Sequence, residues 1–138
     1  MSNYDLVSII MPSHNSERFI KFSIESILSQ TYENWELLIS DDDSSDNTIQ
    51  EIKKYARLDN RIKLFQLSKN SGAGVARNNS IKEASGRFIA FCDSDDRWLP
   101  QKLEVQLDFL RNHKASFTYS SYITQDENQN PIGKVIAP

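Results

Sequence analysis

LVSIIMPSHN, residues 6–15, is the stretch of sequence that decides the fold. Its first six residues form a short β-branched apolar run, which predicts a strand buried on both faces of a parallel sheet. Pro12 is expected to end this strand, and Asn15 or Ser16 to cap a helix that follows it. The apolar residues of that helix recur at helical spacing, at Ile20, Ile24, Ile27 and Leu28. A buried strand followed at once by an amphipathic helix is typical of a βαβ unit.

The same alternation of strand and helix continues along the chain. Three further strands are predicted, a buried one, a less apolar one nearer the sheet edge and another buried one, at Trp35–Ile39, Arg61–Leu67 and Phe88–Cys92. Ser45 or Asp46 is expected to cap the second helix. The third helix is expected after Gly72 and Gly74, with Gly86 as its C-terminal stop. This alternation predicts the α/β class, with a Rossmann-like, mostly parallel central sheet wrapped by helices.

The C-terminal part of the chain predicts a helix and a β-hairpin. Pro100 is expected in the first turn of the helix. A strand, a polar turn and a short last strand should follow, at Ser116–Thr124, Gln125–Asn130 and Ile132–Ile136. Because a chain of 138 residues fits one domain and no interdomain linker is visible, residues 1–138 are expected to form a single domain.

Composition and charge argue against several classes of protein. The formal net charge of −3 argues against a nucleic-acid binder, which needs a positive surface to displace phosphate counterions. The N-terminus lacks a secretory signal, and no stretch approaches the ~20 apolar residues of a membrane span. Cys92 is the only cysteine, so a reducing cytosol is expected. These features predict a cytoplasmic domain, which a longer parent chain could hold at the inner face of the membrane.

The fourth predicted strand runs directly into Asp93-Ser94-Asp95-Asp96. Carboxylates at a buried strand end repel one another and resist desolvation, which implies a compensating cation. Arg87 and Arg97 lie close in sequence, but Mg²⁺ or Mn²⁺ suits several carboxylate oxygens better. The alternative is a solvated acidic loop in which an aspartate caps the next helix. A second acidic run, Asp41–Asp43, follows another strand, and ligands of parallel sheets bind beyond the carboxyl ends of the strands.

The order of these motifs resembles the family 2 glycosyltransferases, from about Leu6 to the final hairpin. The residues that carry the resemblance are Val7–Pro12 with Asn15, Ser29–Tyr32, Trp35–Ile39, Asp41–Asp46, Asn70–Gly74, Ala76–Asn78, Ala84–Phe91 and Asp93–Asp96. Each motif alone is weak, but the set in this order and spacing is highly specific. The resemblance implies a GT-A fold, a three-layer α/β/α sandwich. In such a fold a D-x-D motif binds a divalent metal and the diphosphate of a UDP-sugar or another NDP-sugar.

The resemblance also implies roles for the acidic residues. Asp93 and Asp95 are the D-x-D pair. Asp95 would be the firmest metal ligand, and Asp93 would lie near the ribose or the water shell of the metal. Asp96 either positions this shell or caps the next helix. Asp42 would read the base, because a carboxylate accepts the N3 hydrogen of uracil, and Asp41 is a less certain partner.

Other positions are carried over from the family with their alternatives open. Asp43 stands where the family has glycine, which puts the path of that loop and the base selectivity in question. His14 stands where the family has an aromatic that lies against the base; an imidazole can stack there, and an ordinary surface role is the alternative. Arg77 would contact the diphosphate or pair with an aspartate, Asp41 or Asp93. The predicted nucleotide-contacting residues are therefore Pro12, His14, Asn15, Asp41, Asp42, Arg77, Asp93 and Ser94.

Together these features predict a metal-dependent glycosyltransferase domain. It would transfer a sugar from a UDP-sugar to a glycan, lipid or other acceptor, in cell-surface polysaccharide synthesis; a homodimer remains open. The general base is expected beyond Pro138, because Asp108, Asp126 and Glu127 fall on a helix or in a turn, so the chain is expected to be a fragment of a longer enzyme. The alternatives are a nucleotidyltransferase-like domain, which would carry a glycine-rich basic loop after the first strand, and a non-catalytic nucleotide-binding module.

Overall fold

The computed structural model describes residues 5–137, which divide into two compact units, one ending at Gln101 and one beginning at Lys102. The elements of the first unit are β1 (Val7–Ser13), α1 (Ile20–Leu28), β2 (Trp35–Asp41), α2 (Thr48–Leu58), β3 (Ile62–Gln66), α3 (Ala73–Glu83) and β4 (Phe88–Phe91). Those of the second unit are α4 (Lys102–His113), β5 (Tyr122–Gln125) and β6 (Pro131–Ile136).

A four-stranded parallel sheet in the order β3-β2-β1-β4 forms the centre of the first unit. Both inner strands, β1 and β2, are buried along their whole length, as their apolar runs predict. The register places Val7 opposite Trp35 and Ser13 opposite Asp41. The α/β class and the mostly parallel sheet are thus confirmed, and β3 lies at an edge as its weaker apolar pattern indicates.

The chain reverses its direction across the sheet after β3. Strands β1, β2 and β3 follow one another toward one edge, and β4 then pairs with the other side of β1. Because crossover connections between parallel strands are right-handed, α1 and α2 lie on one face and α3 on the other, where it packs on β1 and β2. The switch point between β1 and β4 is where such sheets open a crevice for a ligand.

Two of the predicted strand descriptions are wrong in detail. Strand β1 does not end at Pro12 but continues through Ser13, because Pro12 and Ser13 stay in register with Ser40 and Asp41 of β2. Strand β4 is not buried on both faces, since Ile89 is 42% exposed and Phe91 56% exposed. Its position at the edge of the sheet accounts for the difference.

The predicted helix ends also differ from the observed ones. Helix α1 begins only at Ile20, because the carbonyl of Ser16 accepts the backbone N–H groups of Phe19 and Ile20 in a preceding turn. Residues 15–19 therefore remain a loop.

Helix α2 has Asn47 at its cap position rather than Ser45 or Asp46, although Asp46 accepts the N–H of Thr48 at 3.0 Å.

Gly86 does not stop α3, which ends at Glu83. A glycine is needed at this position for a steric reason. A Cβ at this position would lie 2.6 Å from the carbonyl oxygen of Leu6 and 2.7 Å from the backbone nitrogen of Ser8. Gly86 therefore permits a close approach of two backbone segments.

The second unit contains α4 and an antiparallel hairpin of β5 and β6. The hairpin is confirmed, but its first strand begins at Tyr122 rather than Ser116, because pairing with β6 reaches only as far as Tyr122. Pro100 lies two residues before α4 rather than in its first turn. Across residues 5–137, none of the helices combines the length and apolar character that crossing a bilayer requires.

Candidate functional site

A cleft of about 340 Å³ opens at the carboxyl ends of the strands, beside the switch point between β1 and β4. Its walls come from the loops after β1, β2 and β4 and from the first turns of α3. The lining residues are Pro12, Ser13, His14, Asn15, Ser16, Phe19, Asp42, Ala73, Arg77, Asp93, Ser94 and Asp95. All the predicted site residues line this cleft except Asp41. Residues from four distant parts of the chain thus meet at one edge of the sheet.

Asp41 is fully buried at the end of β2 and serves the loop that follows. One of its oxygens accepts the hydroxyls of Ser13 at 2.9 Å and Ser44 at 2.7 Å. The other accepts the backbone N–H of Ser44 at 2.9 Å. These bonds hold the loop after β2 against the end of β1.

Asp42 is also buried, but it joins β2 to the start of α3. Its Oδ1 accepts the backbone N–H of Ser71 and its Oδ2 that of Gly72, each at 2.7 Å. A carboxylate next to a helix N-terminus is favoured by the helix dipole. Because a carboxylate has about four acceptor positions, roughly two of them remain available to a ligand in the cleft.

His14 is held in one tautomer by its neighbours. Its Nδ1 lies 2.8 Å from the carbonyl oxygen of Asp42, which can only accept, so Nδ1 carries a hydrogen. Its Nε2 lies 3.1 Å from Nδ2 of Asn70 and 3.3 Å from Nδ2 of Asn15, both of which are donors. These contacts anchor the exposed ring between the loop after β2 and the start of α3.

Asn15 ties the loop after β1 to the loop after β2. Its side-chain oxygen accepts the N–H of Ser45 at 2.9 Å, and its own N–H donates to Oγ of Ser44 at 2.9 Å. Asn15 has a φ of 46° and Asp43 a φ of 61°, both left-handed. Glycine, asparagine and aspartate tolerate this conformation, so an aspartate at position 43 can adopt it as a glycine could.

Arg77 pairs with Asp93 across the cleft. Its Nη2 lies 2.7 Å from Oδ1 of Asp93, and both side chains are partly exposed. Of the two aspartates named above as partners of Arg77, Asp93 forms the ion pair in the structure. This pair fixes one oxygen of the first aspartate of the D-x-D motif.

The segment Asp93–Pro100, named here the acidic loop, gathers three carboxylates. Desolvation raises the pKa of Asp96, and the negative charges of Asp95 and Asp93 raise it further. Asp96 does not line the cleft, whereas Asp93 and Asp95 do. Within residues 5–137, no three His, Cys, Asp or Glu side chains converge to form a complete metal cage. Two hard oxygen ligands fit Mg²⁺ or Mn²⁺ when a diphosphate and water supply the rest.

Four residues that sequence reasoning did not assign to the site also line the cleft: Ser13, Ser16, Phe19 and Ala73. Ser16 and Phe19 were missed because α1 was expected to be capped at Asn15 or Ser16, which would make Ser16 a cap or a helical residue and place Phe19 inside the helix. The hydroxyl of Ser16 lies 2.7 Å from that of Ser94, so the buried Ser94 is tied to the loop after β1. No sequence pattern marked these two positions as part of the site, because the late start of α1 is visible only in the structure.

Comparisons with known proteins show that the chain is similar to glycosyltransferases. The sequence model of the family described as Glycosyl transferase family 2 matches residues 8–137. The chain is 51% identical over its whole length to the Escherichia coli UDP-Glc:alpha-D-GlcNAc-diphosphoundecaprenol beta-1,3-glucosyltransferase WfgD, of which it covers 53%. It is 40% identical over 99% of its length to the putative teichuronic acid biosynthesis glycosyltransferase TuaG of Bacillus subtilis, of which it covers 54%. The chain thus spans about half the length of these curated relatives.

The fold also matches a solved glycosyltransferase structure. S. aureus TarS 1-349, crystallised in complex with UDP, superposes with a TM-score of 0.72 at 35% identity, over 78% of this chain and 32% of that one. This likeness confirms the GT-A fold that the motifs imply. On the family match over residues 8–137, the chain belongs to glycosyl transferase family 2.

Proposed function

We propose that this chain binds the donor of a metal-dependent glycosyltransferase, a UDP-sugar whose sugar passes to a glycan or lipid-linked acceptor. The observation that carries the proposal is the convergence of Asp42, Arg77, Asp93 and Asp95 on one cleft at the switch point of the sheet. Asp42 provides a hydrogen-bond acceptor for the base, and Arg77 provides a cation. Asp93 and Asp95 are potential ligands for the metal that binds the diphosphate.

The nucleoside end of the donor is proposed to lie against His14 and Asp42. Asp42 keeps acceptor capacity for the N3 hydrogen of uracil beyond its bonds to Ser71 and Gly72. The ring of His14, anchored by its contacts with Asp42 and Asn70, offers a flat surface beside it. The UDP complex of TarS, which is 35% identical to the chain, supports a uridine nucleotide.

The diphosphate end is proposed to lie between Arg77 and the acidic loop. Asp95 and Asp93 would hold Mg²⁺ or Mn²⁺, which when bound would neutralise the charge that grows on the leaving nucleotide. Arg77 would hold Asp93 in place and add positive charge next to the phosphates. Ser94 would keep the loop in register with Ser16.

The acceptor is proposed to be lipid-linked, in the synthesis of a cell-surface polysaccharide. WfgD is named for an undecaprenyl-diphosphate-linked substrate and TuaG for teichuronic acid biosynthesis. A lipid-linked acceptor would bring the parent enzyme to the membrane surface during transfer.

Calorimetry with UDP, GDP and CDP, each with and without Mn²⁺, tests this proposal. UDP should bind more tightly with Mn²⁺ than without it. Asp95→Asn should abolish the Mn²⁺-dependent part, because an amide is a much weaker ligand for a hard cation. Asp108→Asn, an exposed change on α4, is the matched control and should bind as the unchanged chain does. Failure of the unchanged chain to bind any of the three nucleotides would refute the proposal.

A further inference from the structure

Helix α1 carries a buried polar row beside its apolar residues. The helix buries Ile20, Ile24 and Ile27, as its pattern predicts. Ser23, Ser26 and, just past the helix, Gln30 are buried as well. Their spacing of three and four places them on one side of α1. Because a buried polar group costs free energy unless it is hydrogen-bonded, each needs a partner.

All three of these side chains bond to the backbone of the acidic loop. Ser23 Oγ donates to the carbonyl oxygen of Ser94 at 2.9 Å. The N–H of Trp98 donates to Ser26 Oγ at 3.1 Å. Gln30 Nε2 donates to the carbonyl oxygen of Leu99 at 2.8 Å. The contacts begin next to the D-x-D pair and continue to the far end of the loop.

The acidic loop depends on such contacts because it has no regular secondary structure between β4 and α4. It closes on itself where the N–H of Asp96 donates to the carbonyl of Asp93 at 3.0 Å. Its carboxylates repel one another, which opposes a single compact conformation. Side-chain bonds to its backbone therefore help to place Asp93 and Asp95, together with the ion pair of Arg77 and Asp93 and the contact of Ser16 with Ser94.

We propose that Ser23 and Ser26 are positioning residues for the metal-binding carboxylates. Through the backbone of the acidic loop they hold Asp93 and Asp95 in place to take up a divalent cation together with a diphosphate. Neither serine lines the cleft, so each acts through the loop rather than on the ligand. This inference rests on the proposed function, since it concerns the same site.

The test measures UDP binding by calorimetry with and without Mn²⁺ on Ser23→Ala and Ser26→Ala. Residues that orient metal ligands typically contribute ten- to a hundredfold to metal affinity. We expect the Mn²⁺-dependent gain in UDP affinity to fall roughly tenfold in each variant, with the affinity for UDP alone unchanged. Ser23→Thr, which keeps the hydroxyl, should restore most of the gain.

A matched control separates positioning from general loss of stability. Ser8 is as buried as Ser23, and its hydroxyl donates to Glu36 at 2.7 Å near the start of β1, away from the cleft. Ser8→Ala should lower the unfolding midpoint at least as much as Ser23→Ala but leave the Mn²⁺-dependent gain intact. Equal loss of that gain in Ser8→Ala would overturn the inference.

Hydrogen exchange on the metal-free chain provides a readout that needs no ligand. Ser26→Ala removes the acceptor of the Trp98 N–H, so this amide should exchange at least tenfold faster, while amides in β1 and β2 stay protected. Unchanged exchange at Trp98 together with retained Mn²⁺ dependence in both alanine variants would overturn this inference alone. Lack of Mn²⁺-dependent binding in the unchanged chain would overturn the proposed function as well.

Discussion

Gly86 lies in the loop between α3 and β4, where two backbone segments approach closely. Its N–H donates to Oγ of Ser8 at 2.8 Å, and a Cβ would lie within 2.7 Å of atoms of Leu6 and Ser8. Gly86→Ala must therefore separate the loop from β1. Overpacking of this kind costs about 3 kcal/mol at the upper end of its usual range. Denaturant unfolding should show a loss of this size.

Gly74 provides a control, because the same change from glycine to alanine can be made there without a steric clash. It lies in the first turn of α3, where an added Cβ would meet nothing within 4 Å. Gly74→Ala should therefore raise stability slightly, by about 0.5 kcal/mol, because alanine loses less backbone entropy in a helix. A similar loss in both variants would contradict the steric explanation for Gly86.

Single residues also show what sequence reasoning could find at the site. Polar groups that directly follow an apolar strand were predictable, and His14, Asp42, Asp93 and Asp95 all line the cleft. The partners of these groups were not predictable, because they depend on contacts between segments far apart in sequence. The bonds of Asp42 to Ser71 and Gly72 are an example, since 29 and 30 residues separate the partners.

At the scale of elements, a buried carboxylate joins the three strands β1, β2 and β3 at the end opposite the cleft. Glu36 of β2 accepts the hydroxyl of Ser8 in β1 at 2.7 Å and pairs with Lys63 of β3 at 3.0 Å. It also accepts the backbone N–H of Ser85 at 2.8 Å. Desolvation acts to raise the pKa of Glu36, but these hydrogen bonds outweigh it and lower the pKa from 4.5 to about 2.

This lowered pKa predicts a specific acid sensitivity. A carboxylate whose pKa is lower in the folded than in the unfolded state stabilises the fold above the unfolded value of 4.5. That stabilisation, at most about 3 kcal/mol for a shift of this size, is lost as the pH falls from 4.5 toward 2. Denaturant unfolding at pH 6, 4 and 3 should show a smaller decline in Glu36→Gln than in the unchanged chain. Glu33→Gln, an exposed change, should decline as the unchanged chain does.

Elements were predictable to different extents, for physical reasons. Strands β1 and β2 were the clearest, because a strand buried on both faces must be apolar throughout. The ends of helices were less predictable, because an alternative turn at Ser16 competes with a helix start there. The strand expected from Ser116 was too long, since its β-rich composition says nothing about how far its partner reaches.

At the scale of the whole molecule, the position of the cleft follows from the order of the strands in the sheet rather than from the sequence pattern of any single element. The return of β4 to the other side of β1 creates the switch point, and the loops after β1, β2 and β4 meet beside it. Alternating strands and helices predicted the parallel sheet, but no local pattern specified the strand order. The resemblance to a known family implied the GT-A fold, and the structure supplied the strand order.

The single cysteine lies at the junction between this sheet and the acidic loop. Cys92 is the only thiol in the 138 residues, it is 1% exposed, and its N–H donates to the carbonyl of Ile10 at 3.1 Å. A thiol-reactive dye can therefore label it only in a conformation that exposes its side chain, so the labelling rate reports how often the base of the loop opens. We expect UDP with Mn²⁺ to slow labelling at least tenfold, and Ser23→Ala to accelerate it. Because Cys92 lies at the base of the acidic loop, it is a native reporter of the motion of that loop. Stopped-flow fluorescence can follow its labelling without an introduced cysteine.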